Sequence, residues 1–159
     1  MKRKLLVAVM ALASVAALTG CEKKGDNNTD TTTTTTEAAS QQLSCSFTAD
    51  GTTIRVSATY EGGKITKATM SGSKKFASEK EAKKEYEEGK KEQKEMLNYK
   101  GLNVSVSQSG TLASYSYSFT IDKMDDKATA IYNELFEEIK DKSYDDAKET
   151  LTKATYTCK

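Results

Sequence analysis

The segment LASYSYSFTID, Leu112 to Asp122, alternates without a break from Ala113 to Ile121. Tyr115, Tyr117, Phe119 and Ile121 fall on one side, and Ser114, Ser116, Ser118 and Thr120 on the other. A period of two describes a strand with one apolar face and one wet face. Such a strand needs a sheet that is covered once and left open on its other side. The same pattern recurs upstream. LSCSFTA points Leu43, Cys45 and Phe47 one way, and TTIRVSATY does the same with Ile54, Val56, Ala58 and Tyr60. ITKATMSG offers Ala68 and Met70 as inward residues, and LNVSVSQS offers Leu102, Val104 and Val106. Asp50-Gly51, Gly62-Gly63 and Ser109-Gly110 separate these runs, and such pairs are hairpin turns.

Three segments change to a helical period. From Ser78 to Leu97 the chain is mostly Lys and Glu at pairing distance, with a thin stripe of Ala82, Tyr86, Gly89, Met96 and Leu97. Ser78 with Glu81 has the capping-box spacing, in which each side chain satisfies a free backbone N–H. MDDKATAIYNELFEEIK carries a broader stripe, Ala128, Ile131, Leu135, Phe136 and Ile139, and is expected to plug the core. SYDDAKETL reads as a short helix capped by Ser143, with Ala147 and Leu151 inward. ATYTCK then gives a last strand with Ala154, Tyr156 and Cys158 on one face. The order is βββ-α-ββ-α-α-β. We expect an α+β domain over residues 43–159: an antiparallel sheet of about six strands with helices packed on one face.

The beginning of the chain belongs to a different class of sequence. MKRK is basic, and Leu5 to Leu18 is an uncharged, mostly apolar run. It is shorter than the roughly 20 residues a membrane-spanning helix needs, and it fits a secretory signal over residues 1–20. The run ends in Leu18-Thr19-Gly20-Cys21, which resembles the bacterial lipobox: aliphatic, small, Gly or Ala, then Cys. The resemblance implies cleavage before Cys21 and a thioether-linked diacylglycerol on it. Membrane lipid would then be the partner that holds the protein at the cell membrane, facing outside the cytoplasm. Residues 21–42 follow as the lipidated cysteine and a threonine-rich tether, including Thr31 to Thr36, too polar to bury surface and expected to be disordered.

That location bears on the other two cysteines. Cys45 and Cys158 both sit on the apolar parity of their strands, near the two ends of the domain. Compartments beyond the membrane permit disulfides, so we expect a Cys45–Cys158 bridge, which requires the first and last strands to be neighbours. Buried free thiols and a redox cysteine stand as the alternatives; no CxxC motif supports the latter.

Composition narrows the chemistry. The 159 residues include no His, which removes the commonest general base and the commonest metal ligand. Without Lys2, Arg3 and Lys4 the balance is 21 basic against 23 acidic residues, so no global charge argues for nucleic acid. Asp122, Asp125 and Asp126 lie close together, but they lack the glycine turn and distal Glu of a calcium loop, and helix capping accounts for them. No catalytic residue, metal site or cofactor is expected. Tyr115 and Tyr117 are expected in the core rather than as a stacking platform, and the Ser/Thr face of the fifth strand is expected to meet solvent.

From Leu43 to Lys159 the chain resembles the YehR-like family of small bacterial lipoproteins. The resemblance rests on YSFTIDKMD, SYDDAKETL and the ending ATYTCK, after an early hairpin and a charged helix. The family carries no agreed catalytic residues to transfer. The expected role is that of a monomeric, non-enzymatic surface lipoprotein that binds or shields something at the envelope, its partner an envelope protein or a small ligand. The alternative is a ligand- or solute-capturing module that serves a membrane partner.

Overall fold

A computed structural model describes residues 40–159. The signal segment, Cys21 and the tether up to residue 39 lie outside the described residues. The elements are β1 (Gln41–Ala49), β2 (Thr52–Glu61), β3 (Lys64–Lys75), α1 (Glu79–Met96), β4 (Leu102–Ser109) and β5 (Leu112–Thr120). A 3-10 turn (Ile121–Lys123), α2 (Asp126–Leu135), α3 (Tyr144–Lys153) and β6 (Thr157–Cys158) complete the order. The six strands form one sheet in the order β4-β5-β3-β2-β1-β6. Each neighbouring pair is antiparallel. The α+β class, the strand count and the element order agree with the sequence pattern.

The first three strands are a meander. Asp50 and Gly51 both take positive φ, 48° and 72°, the twist that a tight two-residue hairpin requires. β1 starts at Gln41, two residues ahead of the expected Leu43, because Gln41 and Gln42 still pair with Tyr60 and Thr59. β5 then returns to lie against β3, which leaves β4 at the edge.

All three helices cover the same face. α1 is capped as its sequence predicts, with the Ser78 hydroxyl accepting from Glu81 N–H and the Glu81 carboxylate accepting from Ser78 N–H. Its buried seam is Ala82, Gly89 and Met96, and Gly89 lets the helix approach Val106 on β4. Leu97, expected in that seam, is 69% exposed. It lies one residue past Met96, about 100° further round the helix, where the cap turns away from the sheet. Gln93 donates from Nε2 to the Val104 carbonyl.

α2 brings Ile131, Tyr132 and Leu135 onto the sheet. It ends at Leu135, earlier than its apolar stripe suggested, in front of Glu137 and Glu138, whose charges oppose the helix dipole. Turns carry the chain onward and still bury Phe136 and Ile139. Phe119, Tyr132 and Phe136 meet ring to ring, with centroids 5.2–5.8 Å apart. Burial of each such side chain contributes on the order of 1.5–3 kcal/mol.

α3 packs on β1 and β6. It ends in a Schellman motif: Tyr156 N–H donates to the Leu151 carbonyl and Thr155 N–H to the Thr152 carbonyl. Thr155 takes the left-handed position (φ 70°) where glycine is usual. The last strand is therefore shorter than ATYTCK suggested, only Thr157–Cys158, because Ala154 and Thr155 close the helix.

Gly72 stands opposite Tyr115 in the β3–β5 register, and the Tyr115 ring lies across it. A Cβ at Gly72 would overlap the Tyr115 hydroxyl and Cζ. Gly72→Ala is expected to cost about 1–3 kcal/mol in urea unfolding, and most of that cost should vanish in a Tyr115→Ala background. An equal cost in both backgrounds would contradict this packing.

Candidate functional site

Cys45 and Cys158 are bridged. They stand opposite each other in the β1–β6 register, and Cys45 is buried. The bridge leaves no free thiol at either position, so the free-thiol alternative falls away. β6 has two paired residues, and beyond them the Lys159 N–H donates to the Ser44 carbonyl. A ladder this short holds little by itself. The cross-link spans 113 positions, a separation for which the chain-entropy argument gives about 4–5 kcal/mol.

The acidic cluster before α2 is a helix cap. One Asp125 carboxylate oxygen accepts from Ala128 N–H at 2.9 Å and the other from Lys100 N–H at 3.0 Å. These two bonds, Ala128 first, hold the Asp125 carboxyl below the usual carboxylate range. Its oxygens are spent on backbone, which leaves them poorly placed for a cation.

Tyrosines line the covered face. Tyr117 is buried in the core, and Tyr115 is half-buried beside it, with ring centroids 6.0 Å apart. Burial pushes the Tyr115 hydroxyl well up, and Tyr117, Glu85 and Tyr156 facing it add to the shift. Burial alone raises Tyr60 to about 12, and its hydroxyl finds no hydrogen-bond partner among the described residues. Burial, helped by Tyr60 and Asp141, raises Tyr132 to about 12.

The opposite face of the sheet is open: no described helix covers it. Its residues align across all six strands. One row runs Thr157, Ser46, Arg55, Ser71, Ser116, Ser105 from β6 to β4. Hydroxyls also meet in neighbouring rows, where Thr69 donates to Ser118 at 3.1 Å and Thr48 lies 3.1 Å from Thr53. Sequence reading identified the β5 portion of this surface. It missed the continuity across the other strands and the place of Arg55 within it, because both depend on pairing register.

The fold is similar to two solved structures. One is the E. coli YehR protein, at a TM-score of 0.57 and 18% identity, covering 77% of this chain and 93% of that one. The other is a protein from Streptococcus pneumoniae TIGR4, at a TM-score of 0.54 and 12% identity, covering 91% of this chain and all of that one. Identity this low shows a shared fold alone. No family model and no curated protein matches the chain.

Two outcomes follow. Replacing Cys45 and Cys158 by Ser should lower unfolding stability in urea by about 2–5 kcal/mol; an unchanged midpoint would contradict the role of the bridge. Tyr60 and Tyr132 favour the fold through their neutral forms. That stability is complete below an ordinary tyrosine value of 10 and is lost as pH rises toward about 12. Absorbance at 295 nm should show their ionisation lagging, and Tyr60→Phe should shrink the alkaline loss without weakening the fold at neutral pH. Ionisation of every tyrosine together near pH 10 would be the contrary result.

Proposed function

We propose that the protein is a lipid-anchored, non-enzymatic lipoprotein of the cell envelope, related to the YehR-like lipoproteins. The observation that carries this reading is Leu18-Thr19-Gly20-Cys21 at the end of an uncharged apolar run behind a basic start. Cys21 takes the diacylglycerol, and membrane lipid is its partner. A single fatty chain holds a protein only marginally, whereas two chains anchor it stably.

The Cys45–Cys158 bridge supports the same reading, because such bonds persist in oxidising compartments and are rare in the cytosol. The likeness to the E. coli YehR fold is compatible with it. The threonine-rich segment between Cys21 and β1 serves as a spacer. A monomeric domain then stands off the headgroups and presents its surface to an envelope protein or ligand. The absence of histidine in the whole chain fits a binding or structural role better than acid–base catalysis.

Labelling with an alkyne fatty acid tests the anchor. The wild type should incorporate label and lose residues 1–20, and Cys21→Ser should abolish both labelling and cleavage. A Cys21→Ser chain that matures and labels normally would overturn the proposal.

A further inference from the structure

Charge is divided between the two sides of this domain. Within the six strands the one carboxylate is Glu61, which ends β2 on the open-face side, opposite Lys64 and beside the Gly62-Gly63 turn. The helices and loops carry all the other acids of residues 40–159, including Glu79, Glu81 and Glu85 on α1. Besides Lys64, which stands opposite Glu61, the open sheet face carries three exposed cations, Arg55, Lys67 and Lys75. Its other positions are almost all hydroxyls and amides. Among the described residues no carboxylate pairs with any of the three cations.

Register places these cations in a line. Arg55 on β2 stands opposite Ser71 on β3, midway between Lys67 and Lys75. At ~3.3 Å per residue the successive charges are ~13 Å apart along the strand direction. Hydroxyls flank the line on both sides: Ser46 and Ser71 beside Arg55, Ser118 and Thr120 next to the Lys67 end. A guanidinium fork and serine hydroxyls are suited to the non-bridging oxygens of a phosphodiester.

We propose that the open sheet face is a docking surface for an extended phosphodiester polymer, which lies along β2 and β3. Sheet twist favours a polymer over a bilayer. Neighbouring strands rotate by about 20–25°, so a six-stranded face is a saddle and cannot lie flat on a plane. A flexible chain can follow its central line, and its own hydroxyls can pair with the flanking serines. The acids on the helical side then face away from the bound anion. This inference is independent of lipid attachment at Cys21.

The test titrates the full chain, mixed with neutral phosphatidylcholine vesicles, with fluorescent poly(glycerol phosphate). The polymer should bind, and log K should fall with log salt at a slope of about −2 to −3, by the counterion-release rule worked out for nucleic-acid backbones. R55Q/K67Q/K75Q should weaken binding about tenfold or more and flatten that slope. K83Q/K84Q/K91Q, which neutralises three exposed lysines of α1, should bind as the wild type does. Circular dichroism checks that both variants are folded. Equal weakening by the two triple variants would overturn the proposal, as would salt-independent binding by the wild type. Displacement of the polymer by phosphatidylglycerol vesicles at equal phosphate would also overturn it, and would assign the face to a bilayer.

Discussion

The side chains of β5 set the terms for the domain: Tyr117 and Phe119 leave water, while Ser114, Ser116 and Ser118 stay at the surface. A strand cannot turn two residues inward without turning the ones between them outward. Because β1 to β4 obey the same parity, one face of the sheet has to be roofed and the other gains nothing from a roof. The helices follow from that need. α1 supplies only a narrow seam and lies over β4 and β5, α2 fills the centre with Phe119, Tyr132 and Phe136, and α3 closes the β1 side. The tyrosines are a consequence of the same arrangement. Burying them favours the neutral phenol, and the unpartnered Tyr60 hydroxyl adds a cost that the surrounding packing offsets.

β6 is the weakest element by pairing alone and the one most strongly secured by covalent chemistry. Two ladder residues cannot hold a strand against solvent, so the Cys45–Cys158 bond fixes the end of the chain to β1 and positions α3 above it. Bonds of this kind persist in oxidising compartments. Charge segregation adds a further feature, since the strands carry cations and hydroxyls on the open side, with Glu61 at its end the one acid, while the other acids lie in helices and loops. In a near-neutral protein this makes the two sides electrostatically distinct without a large net charge.

Local patterns are readable in the sequence alone. Strict alternation in β5, the Asp50-Gly51 and Gly62-Gly63 turns, and the Ser78/Glu81 box each encode their conformation within a few residues. Helix ends were less legible. α2 stops before Glu137, and α3 stops at a threonine in the left-handed region, where no glycine announces it. The parity of Cys45 and Cys158 pointed to the bridge, while the neighbouring positions of β1 and β6 became visible only with the sheet order. The candidate surface was the least legible feature. Arg55, Lys67 and Lys75 are scattered in sequence, and only the β2–β3 register brings them into one line.

The central claim is that, among the described residues, one face of the sheet is roofed and the other is bare. Paramagnetic relaxation by an inert soluble probe measures this directly on the full chain. Side-chain protons of Ser71, Ser105 and Ser116 should relax strongly, while those of Val56, Tyr117 and Phe119 should be shielded. Shielding of the three serines to the level of Phe119 would mean that the open face is covered, and would contradict the account.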